Sequence, residues 1–282
     1  MKWRGLLDNI VDRVIGEKEA CGTRMSTMVI MLPVCGEVAY IIPAGVYAVI
    51  QEPAVIQELT VKLSLEAGAR VVYKKASKKK SCEKYTQEVF YNRAIALEVL
   101  VHVGAQFEQK FSYSMSGLSK DRGTREKTFE KTDEKACTEK RTQVFILAGQ
   151  YARVIVSGAL KLTGMNRVEY VIKQIHNAPD TISNVNIKTV LDDRAFFSYH
   201  GMIHIAKEGA RSVAHQENKN ITISAQARAL SVPNLEALTN DISCGHGSAV
   251  ASIDDLQLFY LASRGIKHAQ AKKLIIRGFL KQ

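Results

Sequence analysis

Apolar and polar residues alternate with a period of two through most of this chain. LTVKLSLEAGARVV (Leu59 to Val72) sets Leu59, Val61, Leu63 and Leu65 against Thr60, Lys62 and Ser64, then breaks at Ala67-Gly68-Ala69. GMIHIAKEGARSVAHQ (Gly201 to Gln216) repeats the design, with Ile203 and Ile205 before Gly209-Ala210-Arg211. NITISAQARALSVP (Asn220 to Pro233) does so again, with Ile221 and Ile223 before Ala227-Arg228. Looser copies are VLVHVGAQFEQKF (Val99 to Phe111) and VFILAGQYARVIV (Val144 to Val156). A period of two marks strands with one buried face. A strand, a small-residue corner and a second strand, recurring at intervals of roughly 18 to 22 residues, predict a coiled β-solenoid. One coil cannot bury its own inward face, so coils stack and their strands form parallel ladders. An antiparallel sandwich would use Asn-Gly or Asp-Gly hairpin turns, and the chain contains neither dipeptide.

The two ends read differently. MKWRGLLDNIVDRVIG places Trp3, Leu6, Leu7, Ile10, Val11 and Val14 on one helical face, with Gly16 as a stop, and predicts a helical segment over residues 1–24. The apolar stretch from Met25 to Ile50 is divided by Glu37, Pro33 and Pro43, so it reads as buried strands and not as a membrane span. The solenoid core is expected over 25–251 and a helical pair over 252–282. Ser252 with Asp255 three residues on resembles a capping box, ahead of Leu256, Phe259, Tyr260 and Leu261, and Gly265 takes the C′ position. The second helix carries Ala271, Leu274, Ile275 and Phe279, with Lys272, Lys273 and Arg277 towards the negative end of its dipole. This pair either caps the open end of the solenoid or offers a groove to a partner protein.

Charge and cysteine content narrow the surroundings. A net charge of +11 makes nucleic acid or an anionic membrane worth testing. The basic residues form no single stripe, however. They gather in YKKASKKK (Tyr73 to Lys80) and, mixed with acids, in Ser119 to Gln143, which reads as a solvated loop or charged strand edge. Specific nucleic-acid binding is therefore not expected. Five scattered cysteines (Cys21, Cys35, Cys82, Cys137, Cys244) without a CxxC argue against a disulfide framework or a zinc finger, and for a reducing compartment, the cytoplasm. Cys137 is expected to be exposed.

Cys244 and His246, in NDISCGHGSAVAS, stand at i and i+2 and share a face if the stretch is extended. Thiolate and imidazole suit soft or borderline metals, including the iron of sulfur clusters. Two ligands do not close a site, so the pair is half of a site completed elsewhere, or a buried cysteine beside a structural histidine. His176 in QIHNAPDTISN is a weaker ligand candidate, and a histidine before a proline turn has a structural reading. His200, His204 and His215 fit outward sheet positions. No GxxxxGK[ST] loop or strand–GxGxxG–helix unit is present, so no nucleotide is expected on this chain.

The second half of the chain resembles the SufB/SufD family of iron–sulfur cluster assembly scaffolds. The matching runs are IHNAPDTISN, TVLDDRAFFSYHGMIHIAKEGARSVAHQENKNITISAQARA, PNLEALTNDISCGHGSAV and DDLQLFYLASRGIKHAQAKKLIIRGFL. The Cys-x-His-Gly sequence resembles the SufD branch, and Gly245 stands where that branch usually has serine. The resemblance implies a right-handed parallel β-helix, mainly β, with flanking helices. It implies a non-catalytic subunit that pairs with a SufB-like chain through the last turns and docks a SufC ATPase on the C-terminal helices. A transient cluster would form at the shared interface, with His246 as the first contributor, Cys244 as the second, and a cysteine from the partner opposite. Leu258, Phe259, Tyr260, Arg264, Ile276 and Phe279 are expected on the SufC-facing surface. Pairing with a second copy of itself is the alternative assembly. Two rival readings remain, a β-helix enzyme acting on polysaccharides and a basic nucleic-acid-binding solenoid. The repeats show no grouped carboxylates for the first.

Overall fold

In the computed structural model, residues 14–20, 23–33, 35–52, 58–75, 92–115 and 137–281 are described. The strands in chain order are β1 (Val14–Ala20), β2 (Thr23–Met31), β3 (Gly36–Ile42), β4 (Tyr47–Glu52), β5 (Glu58–Leu65), β6 (Arg70–Lys75), β7 (Asn92–Val101) and β8 (Gln106–Met115). They continue as β9 (Thr138–Leu147), β10 (Arg153–Leu162), β11 (Arg167–His176), β12 (Ile182–Leu191), β13 (Phe196–Ile205), β14 (Ser212–Thr222), β15 (Arg228–Ala237) and β16 (Ile242–Ser252). Two helices follow, α1 (Asp255–Ser263) and α2 (His268–Leu280).

From β2 onward, strands are dealt alternately to two sheets. One runs β1-β2-β4-β6-β8-β10-β12-β14-β16 and the other β15-β13-β11-β9-β7-β5-β3. All neighbours are parallel except β1 and β2. This is the expected parallel β-solenoid, flattened into two walls with the core between them. The coil is longer than the sequence pattern suggested. Tyr47 aligns with Arg70, a coil of 23 residues (70 less 47), and Arg153 aligns with Ile182, a coil of 29 (182 less 153). Each coil holds two strands and two corners, so a motif built on one corner undercounts it.

The pattern that builds the walls is plain in β5, whose exposure alternates so that Leu59, Val61, Leu63 and Leu65 all point inward. A fully buried side chain of this size stabilises by about 1.5–3 kcal/mol. Down the middle runs an aromatic stack, with Tyr73–Phe107, Phe107–Phe145 and Tyr170–Phe197 centroids 6.3, 5.4 and 5.7 Å apart. At one series of corners a residue one or two places before the returning strand is left-handed. Gly68 takes that conformation freely (φ +69°), whereas later coils put Tyr151, Asp180 and Arg211 there. Those corners are held by side chains. Arg211 donates twice to Asp180 at 2.7 Å, and Gln150 donates to the same carboxylate at 2.8 Å, lacing three successive coils.

Three expectations change. Residues 1–13, which hold most of the expected N-terminal helix, lie outside the described residues, and Val14–Ala20 is a strand instead. It pairs antiparallel with β2, as the first strand of its sheet. The charged segment from Ser119 to Gln143 does not stay in solvent at its C-terminal end, because Thr138–Gln143 enters β9 with Glu139, Arg141 and Gln143 buried. Cys137, just before it, is half-buried. The cap of α1 is Asp254, whose carboxylate accepts from the Leu256 amide at 2.9 Å, because β16 extends through Ser252 and uses up the residue expected to cap. The other end of α1 agrees with expectation. Gly265 (φ +82°) and Ile266 donate to the carbonyls of Ala262 and Leu261, a Schellman closure.

Arg141 is the most unusual core residue. It is 2% exposed, donates to both oxygens of Glu52 at 3.0 and 2.8 Å, and reaches Glu139 through Nε at 3.2 Å. Burial disfavours its charge, but Glu52, Tyr170 and Glu139 together outweigh it and hold the guanidinium well above its ordinary pKa. Removing one member of such a set strands a buried charge. Arg141→Met is therefore expected to lose about 3–5 kcal/mol of stability, read as a lower urea midpoint at unchanged slope.

Candidate functional site at the open end

β16 is the last strand of its sheet and β15 the last of the other. The β14–β16 ladder aligns Ala214 with Cys244, Gln216 with His246 and Asn218 with Ser248. Ala214, Gln216 and Asn218 are buried inward positions. The register therefore carries Cys244 and His246 into the same inward column, as their i, i+2 spacing predicts. Among the described residues no strand stacks beyond β16, so Cys244 is half-buried and His246 exposed. The Cys244 thiol is free and packs beside Ile203, Ile205 and Ala214. Gly245 faces the other way, next to His215, as a β-carbon there would lie 3.8 Å from the His215 ring nitrogen.

The interior directly below this pair is polar. Gln174 donates to Gln216 at 3.2 Å, and Asn220 donates to Asn218 at 2.7 Å. The Gln174 Oε1, Gln216 Nε2 and Ser231 Oγ atoms are buried and lack a hydrogen-bond partner among the described residues. Such groups are rare in folded proteins and cost about 1–3 kcal/mol each when nothing meets them. Gln216 fits because Gly201 stands opposite, where a β-carbon would fall 1.8 Å from its Nε2. Further down, the same columns are filled by Val154, Val156 and Ile172. One coil below Val156 and Ile172, buried Gln143 donates to Gln109 at 2.8 Å, so polar pairs recur along the core.

The donor chemistry of Cys244 and His246 fits an iron–sulfur cluster as cargo, but only in part. Among the described residues no three His, Cys, Asp or Glu side chains converge as a metal site, and a cluster is held by about four ligands. His176 lies elsewhere, fully buried, with its ring nitrogens 2.7 Å from the Thr181 and Ser183 hydroxyls. Thr181 in turn meets Ser212 at 2.7 Å. This is the structural role. His200 and His204 sit on the outer sheet face, hydrogen-bonded to Ser198 and Glu236.

The helical pair does not cover the open end. α2 packs back against β12, where Lys188 donates to the Lys281 carbonyl at 3.0 Å and lies 5.8 Å from the Phe279 ring centre. Of the expected partner-facing residues, Phe259 and Tyr260 are exposed at 73% and 57%, and Arg264 stacks 5.3 Å from the Tyr260 ring. Ile276 and Phe279 are half-buried. Leu258 is 7% exposed and faces inward, since it falls on the side of α1 that the pair itself buries. Leu256 (75%) and Leu274 (53%), absent from the sequence-derived surface set, complete the apolar face.

The architecture is that of a parallel β-solenoid with one end unpaired among the described residues and a thiol and an imidazole displayed there. Residues 49–279 match the family described as SUF system FeS cluster assembly, SufBD core domain, and the chain belongs to that family. It is 41% identical over 112 residues to an iron–sulfur cluster assembly SufBD family protein of Mycobacterium bovis, covering 37% of this chain and 28% of that protein. It is 35% identical over 92 residues to the iron–sulfur cluster assembly protein SufD of Escherichia coli, covering 33% and 22%. It is also 33% identical over 138 residues to SufB of Bacillus subtilis, covering 48% and 29%. The matched region thus spans less than a third of the length of each of these relatives. No helix among the described residues is long and apolar enough to cross a membrane.

Burial lowers the His176 pKa from 6.5 to about 4. As pH falls below 6.5 the unfolded chain takes up this proton first, so stability is intact above 6.5 and is lost on the way down to 4. The total is about 3 kcal/mol. Urea midpoints measured across this range should fall with pH for the wild type and fall less for His176→Asn.

Proposed function

We propose that this chain is a SufD-like scaffold subunit of the SUF machinery, non-catalytic by itself and working in the cytoplasm. It supplies one wall of a cluster-building site. The observation that carries this reading is the open end, where β15 and β16 leave two unpaired strand edges beside inward-facing Cys244 and His246. Unpaired edges of this length invite another chain to continue the ladders. A SufB-like solenoid is the partner proposed, and a second copy of this chain is the alternative. The partner supplies the remaining ligands for a transient cluster, which is cargo. His246, exposed at the rim, is the first contributor, and Cys244, half-buried behind it, is the second or a support. The unmet amide and hydroxyl groups beneath them favour a wet, polar junction over a dry apolar seal.

The test is co-expression with SufB and SufC partners and comparison of cluster absorbance on the purified complexes. His246→Ala should reduce cluster content severalfold without loss of complex. Equal content would remove His246 from the site.

The same reading places a SufC-like ATPase on the helical pair. Leu256, Phe259, Tyr260 and Leu274 form its exposed apolar surface, with Arg264, Ile276 and Phe279 beside them and Leu258 bracing α1 from below. Aromatic and arginine side chains are the usual anchors of such contacts. Leu256→Ser with Phe259→Ser should abolish SufC pull-down while thermal stability stays within a few degrees. Undiminished pull-down would reject the assignment.

A further inference from the structure

The corners opposite those laced by Asp180 and Arg211 carry a groove of about 450 Å³ lined by Arg167, Arg194, Phe196, Gln226 and Arg228, together with Ala195 and Ala225. The solenoid register builds it. Arg167 aligns with Phe196 on the next coil, and Phe196 with Arg228 on the one after, so an arginine stands on the ladder to each side of one aromatic residue, and all three line the groove. The Arg167 guanidinium lies 5.7 Å from the centre of that ring.

The groove is rigid. The backbone amides of Arg194, Phe196 and Arg228 donate at 2.9, 2.9 and 3.0 Å to the carbonyls of Gly164, Asn166 and Ala195 on the preceding coil. Ser224 clamps the β14–β15 corner by donating to the Asp193 carbonyl and accepting from the Ala227 amide. The two carboxylates of the neighbouring corner are turned to backbone amides, Asp193 accepting from Gly164 and Asp192 from Asp193. Among the described residues neither Arg167 nor Arg228 pairs with a carboxylate. Like charges held in register repel one another. A rigid concavity holding the Arg167 and Arg228 forks, neither paired with a carboxylate among the described residues, is therefore complementary to a compact polyanion, and arginine forks match phosphate oxygens in pairs. The volume lies in the range of small-molecule sites, about 300–1,000 Å³.

We infer that this groove binds a small molecule bearing two or more linked phosphates, held by Arg167 and Arg228 on either side of Phe196 with Arg194 closing the third side. Guanidinium recognition needs no glycine-rich loop, and because Arg228 begins β15 the groove reaches the corner of the last coil, on a different strand from Cys244 and His246. The test is calorimetric titration of the chain at low salt with inorganic pyrophosphate, ADP and citrate. Pyrophosphate should bind, and Arg167→Gln with Arg228→Gln should weaken it at least tenfold, while Lys272→Gln with Lys273→Gln on α2 should leave it unchanged. ADP binding more tightly than pyrophosphate would support a nucleotide source, and equal binding would support the bare diphosphate. The inference is overturned if pyrophosphate fails to bind at millimolar concentration, if citrate binds as tightly, or if the α2 variant loses as much as the groove variant. Circular dichroism of each variant separates loss of the site from loss of the fold.

Discussion

A solenoid coil can bury its inward face only under another coil, and everything distinctive about this protein follows from where that rule runs out. Along the middle the rule is satisfied. Strands lie in register, five or so alternate side chains per strand point inward, and aromatic rings from successive coils meet at about van der Waals range. At β15 and β16 no further coil stacks among the described residues. The backbone edge is unpaired, the inward column is uncovered, and the residues found in that column are a thiol and an imidazole instead of valine and isoleucine.

The interior prepares for this change before it arrives. Val154 and Val156 are succeeded in their columns by Ser183 and Val185, then by Ala214 and Gln216, and finally by Cys244 and His246. Burying Gln216, Asn218 and Asn220 costs stability relative to apolar residues of similar volume, and their mutual hydrogen bonds offset only part of that. The arrangement suits an interface that must hold polar cargo. The Glu52–Arg141–Glu139 set is a different case. It lies deep in the stack, and its bidentate geometry keeps a charge where packing alone would exclude it.

The legibility of each feature tracks the range of the interaction that makes it. The inward placement of Leu59 to Leu65, the common face of Cys244 and His246, and the Gly265 stop depend on neighbours a few residues apart, so a period of two or a lone glycine reveals them. Family membership was legible in the same way, through runs such as SCGHGSAV and LQLFYLASRG. The burial of β14 was not, because Gln216, Asn218 and Asn220 look like a solvent face until the opposite wall is in place. Nor was the burial of Glu139 and Arg141, whose partner Glu52 is 89 residues away.

What the sequence determined by itself is the alternating pattern, the corners, the terminal helices and the residues that could meet a metal, since all of these are set by local sterics and side-chain chemistry. The tertiary structure decided which alternating face is inside, how long a coil is, and where the helical pair lies. It also decided that Arg167 and Arg228 stand on either side of Phe196 in one ladder. Those depend on the register between coils some thirty residues apart. That register is settled by the summed packing and hydrogen bonding of whole strands, which no short window of sequence contains.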